Sequence, residues 1–170
     1  MIKILILILG LQIAGSNTNL VEMRKQLDLA ANDSKVADQF SRQLKNLDEN
    51  KAAPVMIGFK AISEMIQAKH AFNPVSKVSH FKKGKRLLEL AISKDPRNPE
   101  LVFFRYTTQV NVPGMLNYNA NLEGDRQVLV NFLKADAKAP KDADLHRRIK
   151  KYLTTDKPGS KAETEMLKNL

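Results

Sequence analysis

The chain contains no cysteine, so neither a disulfide framework nor thiolate ligation of a metal is open to it, and its stability has to come from packing. Glycine is sparse: past the first sixteen residues the closest pair, Gly114 and Gly124, are ten apart. Phosphate-binding loops need clustered glycines so that backbone amides can approach the anion, and nothing here supports one. There is no Gly-x-Ser-x-Gly elbow and no His-Glu-x-x-His pair, which takes away the usual signatures of a serine hydrolase and a zinc protease. No apolar run approaches the roughly 20 residues that span a bilayer. No stretch alternates polar and apolar residues with the period of two that marks a half-buried strand. No cofactor or metal is implied.

What is present begins at the N-terminus. Lys3 is followed by an apolar core from Ile4 to Leu11 and by the small residues Ala14-Gly15-Ser16, the layout of an export signal. The expectation is a signal peptide over residues 1–16, a single all-helical domain over residues 17–170, and a periplasmic or secreted mature protein with no transmembrane span. With no cysteine in the chain, a lipid-modified cysteine behind the signal is excluded. The 170-residue chain has a net charge of +10, of which Lys3 contributes one; the remainder favours anionic neighbours. With 43% hydrophobic residues, the chain has the means to fold.

Apolar residues recur at three and four almost throughout, the helical period. A first helix is expected from about Leu20 to Ala31, with Leu20, Met23, Leu27 and Ala30 on one face. Asn32-Asp33-Ser34 offers a cap to a second, with the stripe Val36, Phe40, Leu44 and Leu47. Pro54 suits the first turn of a third, which carries Val55, Phe59, Ile62 and Ile66 and stops at Asn73-Pro74. A fourth, about Ser76 to Lys94, sets Phe81, Gly84, Leu88, Ala91 and Ile92 against Lys82, Lys83, Lys85 and Arg86. Asn98-Pro99-Glu100 opens a fifth, whose apolar Leu101 to Tyr106 could also read as a buried strand. After Val112-Pro113-Gly114 and an asparagine-rich connection come a sixth helix (Leu122, Val128, Leu129, Phe132, Leu133) and a seventh (Leu145, Ile149, Leu153). Ser160-Lys-Ala-Glu163 forms a capping box before Met166, Leu167 and Leu170. The fold expected is all-α, about eight helices in stacked antiparallel hairpins.

Gly84, Leu88, Ala91 and Pro96, in the stretch from Lys83 to Glu100, resemble the second helix and terminating proline of tetratricopeptide-type repeats. The next unit departs from that pattern, with Val102, Arg105-Tyr106 and Gln109 where the repeat places Trp, Leu-Gly and Tyr. The segment from Met65 to Pro74, with Phe81 to Glu89, is also similar to small exported helical proteins of Gram-negative bacteria that carry no assigned activity. That resemblance implies secretion and helicity and brings no functional residues.

The candidate chemistry is thin. His70 continues the Phe59, Ile62, Ile66 face and is expected near the core. His80 lies across Asn73-Pro74, and only a cleft joining His70, His80, Glu64 and Arg105 would make an enzyme. Asp142 and His146 are four apart on one helix, which reads as a surface ion pair. Asn117 to Asp125 places oxygen-bearing side chains at alternate positions, as in calcium loops, but Leu122 and Val128 stand where glycine and a bidentate glutamate belong. Arg105 is a charge amid Leu101, Val102, Phe103, Phe104 and Tyr106, and needs a carboxylate or carbonyl partners. It is expected to brace the fold or to receive a carboxylate-bearing ligand. Two basic clusters remain, Lys82, Lys83, Lys85, Arg86 and Arg147, Arg148, Lys150, Lys151. Each is expected to be a solvated helix face; the alternatives are binding to phosphate-rich polymers and, for the second, which surrounds the Leu145, Ile149, Leu153 stripe, a membrane surface or partner groove.

The function expected is therefore a non-enzymatic exported module that binds another protein or an anionic envelope component. The alternatives are an envelope enzyme and a lipid- or polymer-binding protein using its basic helices. Nucleic acid, already disfavoured as a partner, drops further if export holds.

Overall fold

The computed structural model describes residues 9–157 and 159–170. Within them the chain is all-α. The described residues form eight α-helices: α1 (Leu9–Ala30), α2 (Ser34–Leu44), α3 (Pro54–His70), α4 (Pro74–Lys94), α5 (Pro99–Asn111), α6 (Leu122–Asp136), α7 (Ala143–Lys151) and α8 (Lys161–Lys168). A 3-10 turn at Gly114–Leu116 and a π-helical turn at Tyr152–Asp156 complete the set. The apolar stretch Leu101 to Tyr106 is helix, not strand. Part of the expected export signal, residues 1–8, lies outside the described residues. The first helix starts at Leu9 rather than near Leu20, and no proline between the two positions interrupts it.

The helix starts follow from side-chain caps. Asp33 Oδ1 accepts from the Lys35 and Val36 amides at 2.7 and 3.2 Å, Asn98 Oδ1 from Glu100 and Leu101 at 3.1 and 3.4 Å, and Asn73 Oδ1 from Val75 at 2.8 Å. Each satisfies amides left free by the first helical turn. Pro54, Pro74 and Pro99 occupy first helical positions, where a missing N–H costs nothing.

The chain divides into two compact units. Unit 1 comprises the chain up to Asp48 together with Phe59–Gly84; unit 2 comprises Glu49–Gly58 and Lys85–Leu170. In unit 1, α1 packs on α2, and Ala30, Ala37, Phe40 and Leu44 are buried. The α3 segment Phe59–Glu64 is buried at every residue. A methyl group added at Gly84 would come within 2.8 Å of the Ala61 carbonyl oxygen, so only glycine lets α4 come this close to α3 there.

In unit 2, α5 packs on α6, and α6 on α7 and α8. Val102, Leu129, Val130, Leu133, Leu145, Ile149, Leu153 and Leu167 make one core. The expected stripe of α7 is correct, but that of α6 needs an amendment: Val128 is 42% exposed and Val130 is buried in its place. The α5–α6 connection is a hairpin, since Gln109 bonds Asn121, Arg105 bonds Asp125 and Arg126 bonds Tyr106, pairs centred on Met115 or Leu116. Asn117, at a φ of 45°, ends the 3-10 turn in the left-handed region that asparagine tolerates better than most residues.

Candidate functional site

Arg105 sits on α5 with its side chain 13% exposed. Its Nε and one terminal nitrogen donate to the two oxygens of Asp125 at 2.7 and 2.6 Å, and the other terminal nitrogen donates to Glu89 at 3.2 Å. This is the planar fork-to-carboxylate geometry that guanidinium favours. Asp125 is itself buried. Its bonds raise the Arg105 pKa above an already high ordinary value, against the opposing effect of burial. The second Glu89 oxygen accepts from the Tyr118 hydroxyl at 2.6 Å, and the Lys85 ammonium stands 4.8 Å from the centre of the Tyr118 ring. Burial, then the bond to Glu89, push the Tyr118 phenol well above its usual range. Arg105 is thus braced from within its own unit. Its carboxylate partners lie in α4 and in the first turn of α6.

In unit 1 the buried acid is Glu64, with its side chain 8% exposed. It receives His80 Nδ1 at 2.8 Å and Lys83 Nζ at 2.6 Å. His70 does not join them: its Nε2 meets the Ala30 carbonyl oxygen at 2.8 Å, and because a carbonyl only accepts, that nitrogen carries the proton. Lys69 donates to the Ala31 carbonyl at 2.6 Å, so two donating side chains close the C-terminal end of α1, where carbonyls lack helical partners. The geometry brings together Glu64 and His80 from the expected cleft. His70 and Arg105 are engaged elsewhere.

The basic clusters are largely paired. Arg86 makes a two-pronged bond to Glu49 at 3.0 Å, and Arg147 and Arg148 both bond Asp144. Lys82 and Lys151 are exposed and Lys150 is half-buried. The Leu145, Ile149, Leu153 stripe is buried in the core of unit 2, so it is not the membrane-facing or groove-filling surface that its basic surround suggested. A further correction concerns His146. It is buried at 8% exposure with its ring 6.2 Å from that of Phe132, not set in a surface ion pair, and its Nε2 has no hydrogen-bond partner. Asp142 instead accepts the Leu145 amide at 3.0 Å as the cap of α7.

Beside α8 the capping box is half-formed. Ser160 accepts the Glu163 amide at 3.2 Å, but the Glu163 carboxylate turns to Arg126 at 2.8 and 3.1 Å. Burial works against the charge on Arg126, and the bonds it donates to Glu163 and Tyr106 outweigh it to raise its pKa. A groove of about 490 Å³ runs past this pair. Arg126 and Lys134 on its wall are matched by Glu123 and Glu163, so it presents no net charge to a ligand. Among the described residues no group of three His, Asp or Glu side chains could hold a metal ion.

Sequence reasoning did not single out the most exposed apolar group among the described residues. Phe72, in the α3–α4 connection, is 101% exposed, and Val75 and Val78 on α4 are 76% and 41% exposed. The available signal was their place beside Asn73-Pro74, a corner where the chain reverses. No protein-family model, curated protein or solved structure matches this chain.

Proposed function

We propose that this chain is an exported, non-enzymatic helical protein that acts as a protein-interaction or envelope-associated binding module. One observation carries the reading: the acid, base and guanidinium groups best suited to chemistry are held by partners from their own chain. Glu64 is held by His80 and Lys83, His70 by the Ala30 carbonyl, and Arg105 by Asp125 and Glu89. Exposed cations such as Lys82 and Lys151 are left for contact with anionic neighbours. The tripartite layout of residues 1–16 supports export, and the Gly84, Leu88, Ala91, Pro96 pattern supports an irregular relative of tetratricopeptide-type repeats. A fold of that kind offers surface rather than chemistry, and its ligand has to be argued from the surface itself.

Fractionation of cells expressing the C-terminally tagged chain, with N-terminal sequencing of the product, tests the address. The reading expects the protein outside the cytoplasm with its first sixteen residues or so removed. Intact Met1 on a cytoplasmic protein would overturn export. Affinity capture from the envelope then tests binding.

The second reading, an envelope enzyme, has one observation in its favour, the Glu64–His80 pair, in which a carboxylate orients an imidazole. It requires that His80→Ala abolish an activity while leaving the fold intact.

A further inference from the structure

We propose that the corner between α3 and α4 docks on the surface of an anionic lipid bilayer, with Phe72 at its tip. The proposal deepens the envelope-binding reading and rests on it.

Phe72 is fully exposed in the turn, and Val75 and Val78 are exposed on the first turns of α4. On a helix, positions 75, 78 and 82 fall on one face, so Lys82 continues the row begun by the two valines. Phe81, Gly84 and Leu88, on the opposite side, are buried. The result is a convex apolar tip with a cation behind it. Neighbouring exposed apolar side chains of this kind mark a contact surface more often than scattered single ones do.

Charge identifies what it contacts. Lys77 and Lys82 stand exposed beside this corner, and from Met65 to Leu88 the sequence holds no aspartate or glutamate; Lys69 and Lys83, the other lysines of unit 1 in this stretch, are taken by the Ala31 carbonyl and Glu64. The acid just before this stretch, Glu64, is buried and taken up by His80 and Lys83. A partner suited to this corner supplies negative charge to these two lysines and accepts a protruding aromatic, and an anionic headgroup layer over hydrocarbon does both. Phe72, Val75 and Val78 would enter the acyl boundary while Lys82, on their face, extends its stem toward phosphate and Lys77 flanks the first turn from the other side of α4. The contact is peripheral: no helix among the described residues is long and apolar enough to cross a membrane. The α7 cluster does not compete for this role, since its apolar stripe is buried.

The test is co-sedimentation of the purified protein with vesicles of phosphatidylcholine alone and of phosphatidylcholine and phosphatidylglycerol in equal parts, alongside emission spectra of Phe72→Trp. The chain has no tryptophan, so the introduced ring reports on the tip alone. The proposal expects association with the mixed vesicles only, weakened by salt, and a blue shift of Phe72→Trp emission on those vesicles. Phe72→Ser should lower partitioning about tenfold, Lys82→Gln about fivefold, and Lys77→Gln, from the other side of α4, by less. Because all three positions are exposed, the unfolding midpoint should stay unchanged and serves as the folding control. Association with mixed vesicles without a Phe72→Trp shift would overturn the corner as the docking surface while leaving an envelope-binding module standing. No association with either vesicle, together with capture of a protein partner that is lost in Phe72→Ser, would overturn the lipid and make the corner a protein-docking surface. Failure of every binding assay and a cytoplasmic location would remove the broader reading as well.

Discussion

Arg105 with Asp125 in unit 2, and Glu64 with His80 and Lys83 in unit 1, use the same chemistry to different ends. In the first, both partners are withdrawn from water, at 13% and 5% side-chain exposure, and two parallel bonds fix the fork. In the second, only the acid is buried, at 8%, while His80 and Lys83 are 39% and 51% exposed. A charge left alone in the first setting has no water to turn to, so that pair governs stability. In the second, the His80 ring and the Lys83 ammonium keep their hydration and the acid acts mainly to hold them in place, so that cluster shapes the surface. Unit 1 instead rests on close approach at Gly84 and on Lys60, Lys69 and His70 gripping the Leu47, Ala31 and Ala30 carbonyls.

The sharpest way to break this contrast is Asp125→Ala, which removes both short bonds to the Arg105 guanidinium and leaves it only the longer one to the more exposed Glu89. A loss of about 3–5 kcal/mol in denaturant unfolding is expected, with much of it restored in the Arg105→Met, Asp125→Leu double variant, where neither charge remains. Next in size is Gly84→Ala. Its methyl group meets a backbone carbonyl that cannot swing aside, and about 1–3 kcal/mol should be lost in the same assay. Gly58→Ala meets mainly the Leu101 side chain, which can rotate, so it should cost less.

Tyr118→Phe is expected to cost about 1.5 kcal/mol at neutral pH through the lost bond to Glu89, and to change the alkaline limb of a stability-versus-pH curve. The folded-state pKa of the phenol is raised. The stability it contributes is therefore whole below the unfolded value of about 10 and is lost as pH climbs toward the folded value, because the unfolded chain gives up its proton first. Wild-type stability should fall above that pH and the variant's fall should be shallower. The smallest effect is expected from His80→Ala, about 0.5 kcal/mol after allowing for the exposure of the ring; a loss rivalling that of Asp125→Ala would erase the distinction between the two clusters.

Much of this architecture is legible in short stretches of chain. Asp33, Asn98 and Ser160 announce helix starts because a cap acts within three residues of itself, and the stripes Phe59, Ile62, Ile66 and Leu145, Ile149, Leu153 are read from a local period. Partners across a turn are harder. Arg105 plainly needs a counter-charge, but Asp125 is found only once α5 and α6 fold back about Met115, and Glu64 meets His80 only because α3 and α4 reverse at Phe72. Both hairpins place the paired residues symmetrically about a proline- or glycine-containing break, a signal available once the break is taken as a centre of reflection. The misses have tertiary causes. Val128 and Val130 are equally apolar, and only the neighbours of α6 decide which is buried. His146 is drawn inward by Phe132, and Glu163 leaves its own helix start for Arg126, a residue thirty-seven positions away.

The account is tested most directly by the difference between two double-mutant coupling energies, Arg105 with Asp125 and Glu64 with His80, measured by denaturant unfolding under one set of conditions. The expected result is about 2–3 kcal/mol for the first pair and about 0.5 kcal/mol for the second. Equal couplings, or a larger one for Glu64 and His80, would contradict it.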